Sequence, residues 1–289
     1  MIQADFHIHT TASDGRIAPS DILLQAVQVG LTHISITDHD TVDGLLALGA
    51  KPQQAGVTVI AGIEFSTDMP DCEIHILGYG IDIFHPRLRQ QLTLLKEDRV
   101  SRVRKMAAKI TALGYPIAEQ DIVEVARGST SVGRPHVAKA LIEKGYFTSV
   151  SDVFHSLLNR DKPGYVPHYK LTPSEVIGLI SQAGGVSILA HPGLVGNDQQ
   201  VRYIIESGID GLEVYHPKHD VEAVDRYLSL AQDQRLLVTG GSDYHAIPGR
   251  FPERLGEFLV PNNVANLFVS QISGLCRNTR ILVKDDQLL

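Results

Sequence analysis

Short apolar runs alternate with amphipathic stretches over most of the chain, and this alternation limits the possible folds more than any other feature. A strand, a helix and a second strand in succession favour parallel strands that are joined by helical crossovers. Strands are predicted at Gln3–Ile8, His33–Thr37, Val57–Glu64, Ile74–Tyr79, Val186–Ala190, Gly211–Tyr215 and Leu236–Gly240, with an eighth candidate at Glu257–Val260. Helices are predicted at Pro19–Val29, Pro173–Ala183 and Val221–Gln232. Seven or eight such units favour an α/β barrel over an open sheet. No G-x-G-x-x-G motif follows the first strand, which weakens a dinucleotide-binding fold.

The alternation is interrupted between residues 87 and 170, where a helical insertion is expected. A helical stripe runs through Leu88, Leu92, Leu95, Val103, Met106, Ile110 and Leu113. We therefore assign residues 1–86 and 171–289 to the barrel and residues 87–170 to the insertion. The insertion contains 15 basic and 8 acidic residues, a net charge of +7, whereas the rest of the chain has a net charge of −14. Either a solvated helical face or a basic lid over a polyanionic substrate explains this charge.

Composition excludes several other classes of protein. The 289 residues carry a net charge of −7 and 43% of them are hydrophobic, which excludes a disordered chain or a coiled coil. No apolar run reaches the ~18 residues that cross a bilayer, and the N-terminus lacks the features of a secretory signal. The two cysteines, Cys72 and Cys276, are far apart, so a cytoplasmic location is expected. No motif indicates a membrane, an obligate protein partner or long duplex nucleic acid as a partner.

Histidine is unusually frequent, with 13 residues, and several histidines lie where predicted strands end. In a parallel barrel the carboxyl ends of the strands face one mouth, where such enzymes do their chemistry. A single histidine or aspartate at such a place is most often structural, and Asp38 and Asp40 fit a ligand or a turn equally well. The recurrence of these residues at successive strand ends predicts a metal centre. Its candidate ligands are His7, His9, Asp14, His39, Glu64, His75, His191, Asp243 and His245.

The residue types narrow the choice of metal. His7 and His9 at a strand end put both imidazoles on one face, because side chains alternate along a strand. Imidazole and carboxylate ligands together suit Mn²⁺, Zn²⁺ or Fe²⁺ rather than Ca²⁺ or Mg²⁺ alone. Nine ligands exceed the needs of one ion, and Glu64 can bridge two ions through its two oxygens. We expect two or three divalent transition-metal ions, with Mn²⁺ as the first choice and Zn²⁺ or Fe²⁺ as alternatives.

A set of short motifs carries these residues: His7-Ile8-His9-Thr10 with Ser13-Asp14-Gly15, Thr37-Asp38-His39, Gly62-Ile63-Glu64, Ala190-His191-Pro192 and Ser242-Asp243-Tyr244-His245. Together they resemble the signature of the PHP (polymerase and histidinol phosphatase) family of metal-dependent phosphoesterases. The resemblance runs from the first strand to about residue 250 and implies a distorted (β/α)7 barrel of the TIM-like type. It also implies three ligand sets, which are His7, His9, Glu64 and Asp243 for one ion, Glu64, His75 and His191 for a second, and Asp14, His39 and His245 for a third.

Three further segments resemble the branch of that family that acts on nucleoside 3′,5′-bisphosphates and short RNA ends: Gly133-Arg134-Pro135-His136, the loop Thr10–Gly15 and Tyr165-Val166-Pro167. The basic insertion also favours a substrate with more than one phosphate. A nucleotide or a short strand end is therefore the expected substrate. The candidate substrate-binding residues are Arg134, His136, Arg160, Lys170 and His219, and Arg134 has the fork of donors that matches a phosphate bidentately.

The resemblance also suggests a mechanism, with Asp243, His191 and Arg134 as candidate catalytic residues. A hydroxide that bridges two metals would attack phosphorus in line with the departing ribose oxygen, while Arg134 offsets charge on the phosphoryl oxygens. His191 or His136 is the candidate proton donor to the leaving oxygen. A metal-bound His191 could not donate a proton, so its two candidate roles compete.

Three other functions stay open at this point. A histidinol-phosphate phosphatase would use the same barrel and metal centre on a substrate with a single phosphate. A non-catalytic, metal-dependent sensor would keep the fold without the chemistry, although the complete ligand set argues against it. Hydrolysis of a C–N bond is the third alternative, because other metal-dependent β/α barrels also begin with His-x-His.

Overall fold

Seven strands form one curled sheet in which each strand lies beside its neighbours in sequence. The computed structural model describes residues 2–49, 55–68, 73–126, 129, 131–167, 169 and 171–275. Its strands are β1 (Ala4–Ile8), β2 (His33–Ile36), β3 (Thr58–Asp68), β4 (Glu73–Tyr79), β5 (Val186–Leu189), β6 (Gly211–Tyr215) and β7 (Leu237–Gly240). Beyond β7, Tyr244 forms a parallel bridge with Ile8, so the last edge of the sheet returns to β1. The predicted α/β fold is confirmed, as a distorted barrel with seven strands.

Strand β4 runs opposite to the other six strands. Strands β1 to β3 pair in parallel, as do β5 to β7, whereas both neighbours of β4 pair with it in antiparallel fashion. The prediction of parallel strands is therefore wrong at β4. Only residues 69–72 separate it from β3, and a parallel connection needs about a dozen residues or more. The same hairpin explains why β3 continues to Asp68, past its predicted end at Glu64.

Ten α-helices lie in the described part of the chain: α1 (Pro19–Gln28), α2 (Asp43–Leu48), α3 (Pro86–Ala112), α4 (Glu119–Val125), α5 (Arg134–Glu143), α6 (Val150–Val153), α7 (Pro173–Gln182), α8 (Asp198–Glu206), α9 (Val221–Gln234) and α10 (Asn262–Leu275). The three predicted helices correspond to α1, α7 and α9. Helix α7 begins with a capping box, in which the Thr172 hydroxyl accepts from the Glu175 N–H and Glu175 Oε2 accepts from the Thr172 N–H.

The eighth candidate strand, Glu257–Val260, is wrong. This stretch contains bends and no strand. Gly256 before it has a left-handed φ of 89°, and Pro261 after it has no N–H to donate to a sheet. A single backbone hydrogen bond, from Val260 N to Ala4 O at 3.0 Å, connects the stretch to β1.

Helix α10 packs against the strands of the barrel unit, which comprises Met1–Arg89 and Leu171–Leu289. The Phe268 ring centroid lies 5.3 Å from that of Phe6 on β1 and 5.3 Å from that of Tyr79 on β4. All three rings are buried. The Tyr79 hydroxyl also donates to the Phe6 carbonyl at 2.8 Å. These contacts join β1 and β4 to α10.

The insertion forms a second compact unit, Gln90–Lys170, with a hydrophobic core of its own. Helix α3 supplies part of the predicted stripe to this core: Val103, Met106 and Ile110. Leu113, the last residue of the stripe, is 41% exposed, because α3 has ended and Gly114 turns the chain with a φ of 94°. Within the described ranges, no helix combines the length and the apolar character that crossing a membrane requires.

Replacing Phe268 by Ala should destabilise the barrel unit, because it leaves a cavity beside Phe6 and Tyr79. We expect a loss of about 3–5 kcal/mol in the free energy of unfolding, measured by urea denaturation with circular dichroism. Leu267→Ala is the matched control, since Leu267 lies on the same helix and is 56% exposed. Its free energy of unfolding should change by less than about 0.5 kcal/mol. Equal losses in both variants would contradict the packing role of Phe268.

Candidate metal centre

All nine candidate ligands lie in the barrel unit, where the structure brings them together at one end of the sheet. Atoms that could bind a metal lie within 4.8 Å of one another in three groups: His7, His9, Glu64 and Asp243; His9, Asp14, His39 and His245; and His39, Glu64 and His75. His191 joins them through its Nε2, which is 3.2 Å from Glu64 Oε1. Ligands that are far apart in the sequence therefore share one small volume.

The direction of β4 explains how His75 reaches this volume. Ser66 of β3 pairs with His75, so Glu64 and His75 lie on one face of the hairpin as diagonal neighbours. Because β4 is reversed, its first residues lie at the carboxyl ends of the parallel strands. A register slip of one residue would move His75 to the other face of the sheet.

Four potential ligand atoms meet in the first group. His7 Nε2 and His9 Nε2 are 3.1 Å apart. Glu64 Oε2 lies 3.3 Å from His7 Nε2 and 3.1 Å from His9 Nε2. Asp243 Oδ1 lies 3.6 Å from His7 Nε2 and 3.3 Å from His9 Nε2. His7 Nδ1 is 2.9 Å from Glu213 Oε1, and since a carboxylate only accepts, a neutral His7 presents an Nε2 lone pair to the group. Burial disfavours the charged imidazole of His9, but Asp243 and Glu64 outweigh it and raise the pKa of His9 to about 9. The carboxylates of Glu64 and Asp243 thus stabilise a positive charge in this group.

Glu64 faces imidazoles with both of its oxygens. Oε2 lies 3.2 Å from His39 Nδ1, besides its contacts in the first group. Oε1 lies 2.8 Å from His75 Nδ1 and 3.2 Å from His191 Nε2. Burial opposes ionisation of this side chain, but the imidazoles of His39, His75 and His7 hold the pKa of Glu64 well below its usual range. An ionised carboxylate with imidazoles on both sides can bridge two cations.

Three buried polar atoms around Asp14 have no hydrogen-bond partner: His9 Nδ1, Asp14 Oδ1 and His39 Nδ1. Such atoms are uncommon in native proteins. Asp14 Oδ1 lies 3.3 Å from His245 Nε2 and 3.7 Å from His9 Nδ1. Burial lowers the pKa of His39 to about 4, which favours the neutral imidazole that binds metals. These unsatisfied nitrogen and oxygen atoms fit a divalent transition-metal ion.

The two oxygens of Asp243 have different neighbours. Oδ1 faces the first group and lies 3.4 Å from His245 Nδ1. Oδ2 contacts the guanidinium of Arg250 and lies 3.7 Å from His216 Nε2. His216 Nδ1 accepts the N–H of Lys218, so a neutral His216 carries its ring proton on Nε2, the atom nearer Asp243. Oδ1 is thus the oxygen that Asp243 presents to a cation.

Gly241 allows the segment after β7 to lie against β1. A Cβ at this position would be 2.2 Å from His7 Cβ and 2.5 Å from His7 N, so any other residue would displace the first ligand. Two residues later, Asp243 has a left-handed φ of 52°. Because the backbone of Gly241 lies against His7, the segment after β7 can bring Asp243 to His7.

Two buried carboxylates are absent from the predicted site. Glu213 on β6 accepts a hydrogen bond from His7 Nδ1 and one from the backbone N–H of His191. Asp5 on β1 accepts from the backbone N–H and the hydroxyl of Ser242, and burial raises the pKa of Asp5 to about 6. Each interrupts an apolar run that is predicted to be a buried strand. A charged residue in such a run is the signal that could have identified them.

Asp38 and Asp40, for which two roles were open, both hold loops in place. Asp38 accepts from the N–H and the hydroxyl of Thr10, each at 2.7 Å, and from Ser13 Oγ at 2.6 Å. Asp40 accepts from the N–H of Ser66 at 3.0 Å. The loop after β1, which carries Asp14, is anchored through Asp38.

The candidate substrate-binding residues have different surroundings. Lys170 lies outside the described residues, and Arg160 lies in a turn of the insertion unit. His219 Nε2 accepts the N–H of Gly193 at 3.0 Å, and its Nδ1 donates to the Val214 carbonyl at 2.8 Å. Both ring nitrogens of His219 have backbone partners, and its role in substrate binding stays a prediction.

Arg134 and His136 lie in the first turn of α5, within the insertion unit. The Arg134 guanidinium carbon is 5.6 Å from the centroid of the Phe154 ring and 6.0 Å from that of the Tyr165 ring, which are cation–π distances. His136 Nδ1 accepts the N–H of Gly133 at 3.1 Å. A neutral His136 therefore carries its ring proton on Nε2.

Comparison with known proteins places this ligand pattern in one family. Residues 5–172 match the family model of the PHP domain. The chain belongs to the PHP family. It is 30% identical over 254 residues to a 3′,5′-nucleoside bisphosphate phosphatase of Chromobacterium violaceum. This alignment covers 86% of this chain and 89% of that protein. It is 34% identical over 248 residues to the 5′-3′ exoribonuclease Rnm of Salmonella typhimurium. This alignment covers 83% of this chain and 84% of that protein.

A solved structure extends this likeness to the backbone. The PHP chain superposes with a TM-score of 0.82 on a Bifidobacterium adolescentis protein assigned to the metal-dependent phosphoesterases. The two are 30% identical, and the superposition covers 93% of this chain and 96% of that one. The likeness therefore includes the insertion as well as the barrel.

Arg250→Gln should weaken metal binding by the first ligand group of this PHP centre, because Asp243 Oδ2 would lose its contact with the positively charged guanidinium of Arg250. We expect the Kd for Mn²⁺ to rise roughly tenfold, measured by isothermal titration calorimetry. Arg254→Gln is the matched control, since the Arg254 side chain is 84% exposed and pairs with Glu257. Its Kd should equal that of the wild type. An unchanged or lower Kd in the Arg250 variant would show that this contact does not position Asp243.

Proposed function

We propose that the chain is a metal-dependent phosphoesterase that removes the 3′-phosphate of nucleoside 3′,5′-bisphosphates and also acts on the 5′ ends of short RNAs. The observation that carries the proposal is the position of Glu64, whose two buried oxygens face different imidazoles. A carboxylate with a cation on either side suits phosphate esters, because the attacking and the leaving oxygen both need stabilisation. Relatives named for 3′,5′-nucleoside bisphosphates and for 5′-3′ cleavage of RNA support this choice of substrate.

The ions are assigned to the ligand sets implied by the motifs. These are His7, His9, Glu64 and Asp243; Glu64, His75 and His191; and Asp14, His39 and His245. We propose Mn²⁺ as the first choice, with Zn²⁺ or Fe²⁺ as alternatives, because imidazoles and carboxylates are mixed in every set. Bound ions would supply positive charge to the phosphoryl oxygens and make a coordinated water more acidic. We also propose a cytoplasmic location, on the ground of the two distant cysteines.

The chain's own residues are proposed to bind the phosphates and to donate a hydrogen bond to the leaving oxygen. Arg134 would bind phosphate oxygens bidentately, and its stacking on Phe154 and Tyr165 restrains the guanidinium. His136 carries its ring proton on Nε2, from which it can donate a hydrogen bond to the negative charge that develops on the leaving oxygen. His191 faces Glu64 as a ligand, so of the two candidates we assign this role to His136. The insertion that carries both residues, 87–170, is proposed to be a basic lid, with Arg160 and Lys170 as further phosphate ligands.

Purified protein with Mn²⁺ should release phosphate from adenosine 3′,5′-bisphosphate, leave the 5′-monophosphate, and prefer this substrate to histidinol phosphate. His9→Ala and Asp243→Ala each remove a ligand of the first ion. We expect each to lower kcat/KM at least a thousandfold, which corresponds to ~4 kcal/mol of transition-state stabilisation. A preference for histidinol phosphate would refute the nucleotide assignment. Metal-bound protein that hydrolyses neither ester would favour a sensor over an enzyme.

Arg134→Gln should selectively impair hydrolysis of the doubly phosphorylated substrate. A charge-assisted hydrogen bond contributes about 1.5–3 kcal/mol, so kcat/KM for adenosine 3′,5′-bisphosphate should fall roughly 10- to 100-fold. The rate with a simple aryl phosphate should change much less. Arg104→Gln is the control within the same unit, because Arg104 is 69% exposed and pairs with Glu119. Equal losses of Arg134→Gln on both substrates would contradict the role of Arg134.

A further inference from the structure

Strand β6 contributes none of the nine candidate ligands, yet its Glu213 contacts ligands of two different ions. We propose that Glu213 is a positioning residue that fixes His7 of the first ligand set relative to His191 of the second, so that occupation of the two metal sites is coupled. The proposal rests on the two-ion centre of the proposed function. It concerns how the centre is assembled, not which ester it hydrolyses.

The contacts of Glu213 are short; the contact with His7 is fully buried and the contact with His191 is partly buried. Oε1 accepts from His7 Nδ1 at 2.9 Å, and Oε2 accepts from the backbone N–H of His191 at 2.8 Å. The exposed fraction of both His7 and Glu213 is 0%. At the contact with His7, water could replace a lost partner only after a rearrangement. A buried donor that loses its acceptor is costly, so both contacts constrain the structure.

Each contact orients one ligand. At His7, Glu213 keeps the ring proton on Nδ1 and so leaves the Nε2 lone pair toward His9 and Asp243. At His191, it holds a residue whose backbone is left-handed, with a φ of 30°. That turn places His191 Nε2 3.2 Å from Glu64 Oε1. The rigid carboxylate of Glu213 therefore links the imidazole plane of one ligand to the backbone turn of the other.

Only a carboxylate of this length satisfies both donors. A glutamine has one acceptor oxygen. If this oxygen accepts from the His191 N–H, the amide nitrogen faces His7 Nδ1 and either opposes the ring N–H or moves the ring proton to Nε2, the atom that faces the metal site. An aspartate keeps both oxygens but is shorter by one methylene group. Glu213→Gln therefore breaks the link while it conserves the size of the side chain.

Calorimetric titration of the full-length, metal-free protein with Mn²⁺ tests the proposal, with the number of bound ions checked by elemental analysis. In Glu213→Gln we expect the affinity to fall about 10- to 100-fold at both of the sites that contain Glu64. Thr239→Val is the matched control. Thr239 lies opposite Glu213 in the register of β6 and β7 and is buried to the same extent. Its affinities for Mn²⁺ should equal those of the wild type.

Wild-type affinity at both sites, or a loss confined to one site, would overturn the proposal. If Glu213→Gln does not fold, as judged by circular dichroism, Glu213→Asp replaces it, and a loss at both sites is again required. The readout is metal binding, so it does not depend on the substrate. Suppose that the wild type binds Mn²⁺ at both sites, that Glu213→Gln loses affinity at both, and that the wild type hydrolyses no phosphate ester. This result would refute the proposed function and leave the role of Glu213 intact.

Discussion

The buried carboxylate of Glu64 is the constraint on which the rest of the barrel unit depends. An ionised carboxylate taken out of water costs several kcal/mol unless opposite charges or donors compensate it. Here the compensation comes from imidazoles on several elements, because His9 lies beside one oxygen while His75 and His191 face the other. No single strand could supply these partners. The curvature of the sheet and the reversal of β4 are the means by which they reach the same carboxylate.

A shell of further polar residues surrounds the ligands and limits how they can move. Asp5 holds the backbone at Ser242, and Arg250 contacts one oxygen of Asp243. Asp38 anchors the loop that leads to Asp14. These contacts take up the polar atoms that face away from the centre. Ligand atoms such as Asp14 Oδ1 are left without hydrogen-bond partners, and that combination distinguishes a metal site from an ordinary buried network.

Much of the fold and of the candidate site can be predicted from the sequence, because strand ends are where a barrel places its reactive side chains. The sequence predicts the strand that carries His75 but not its direction, since an apolar run has the same pattern in either direction. The partners of a side chain are equally hidden. The sequence does not show that His219 contacts Gly193 and Val214. Glu213 lies inside a strand, and a search for ligands at strand ends does not find it.

The close contact between Gly241 and His7 has a consequence for how the metal centre assembles. The first ligand set combines His7 and His9 of β1 with Asp243, which lies far from them in the sequence. The set is therefore incomplete until these distant segments have come together. Contacts between such distant parts of a chain form slowly, since a long loop must close first. Metal binding by this set is thus a late event in folding, and a bound ion would stabilise the contact between the two segments.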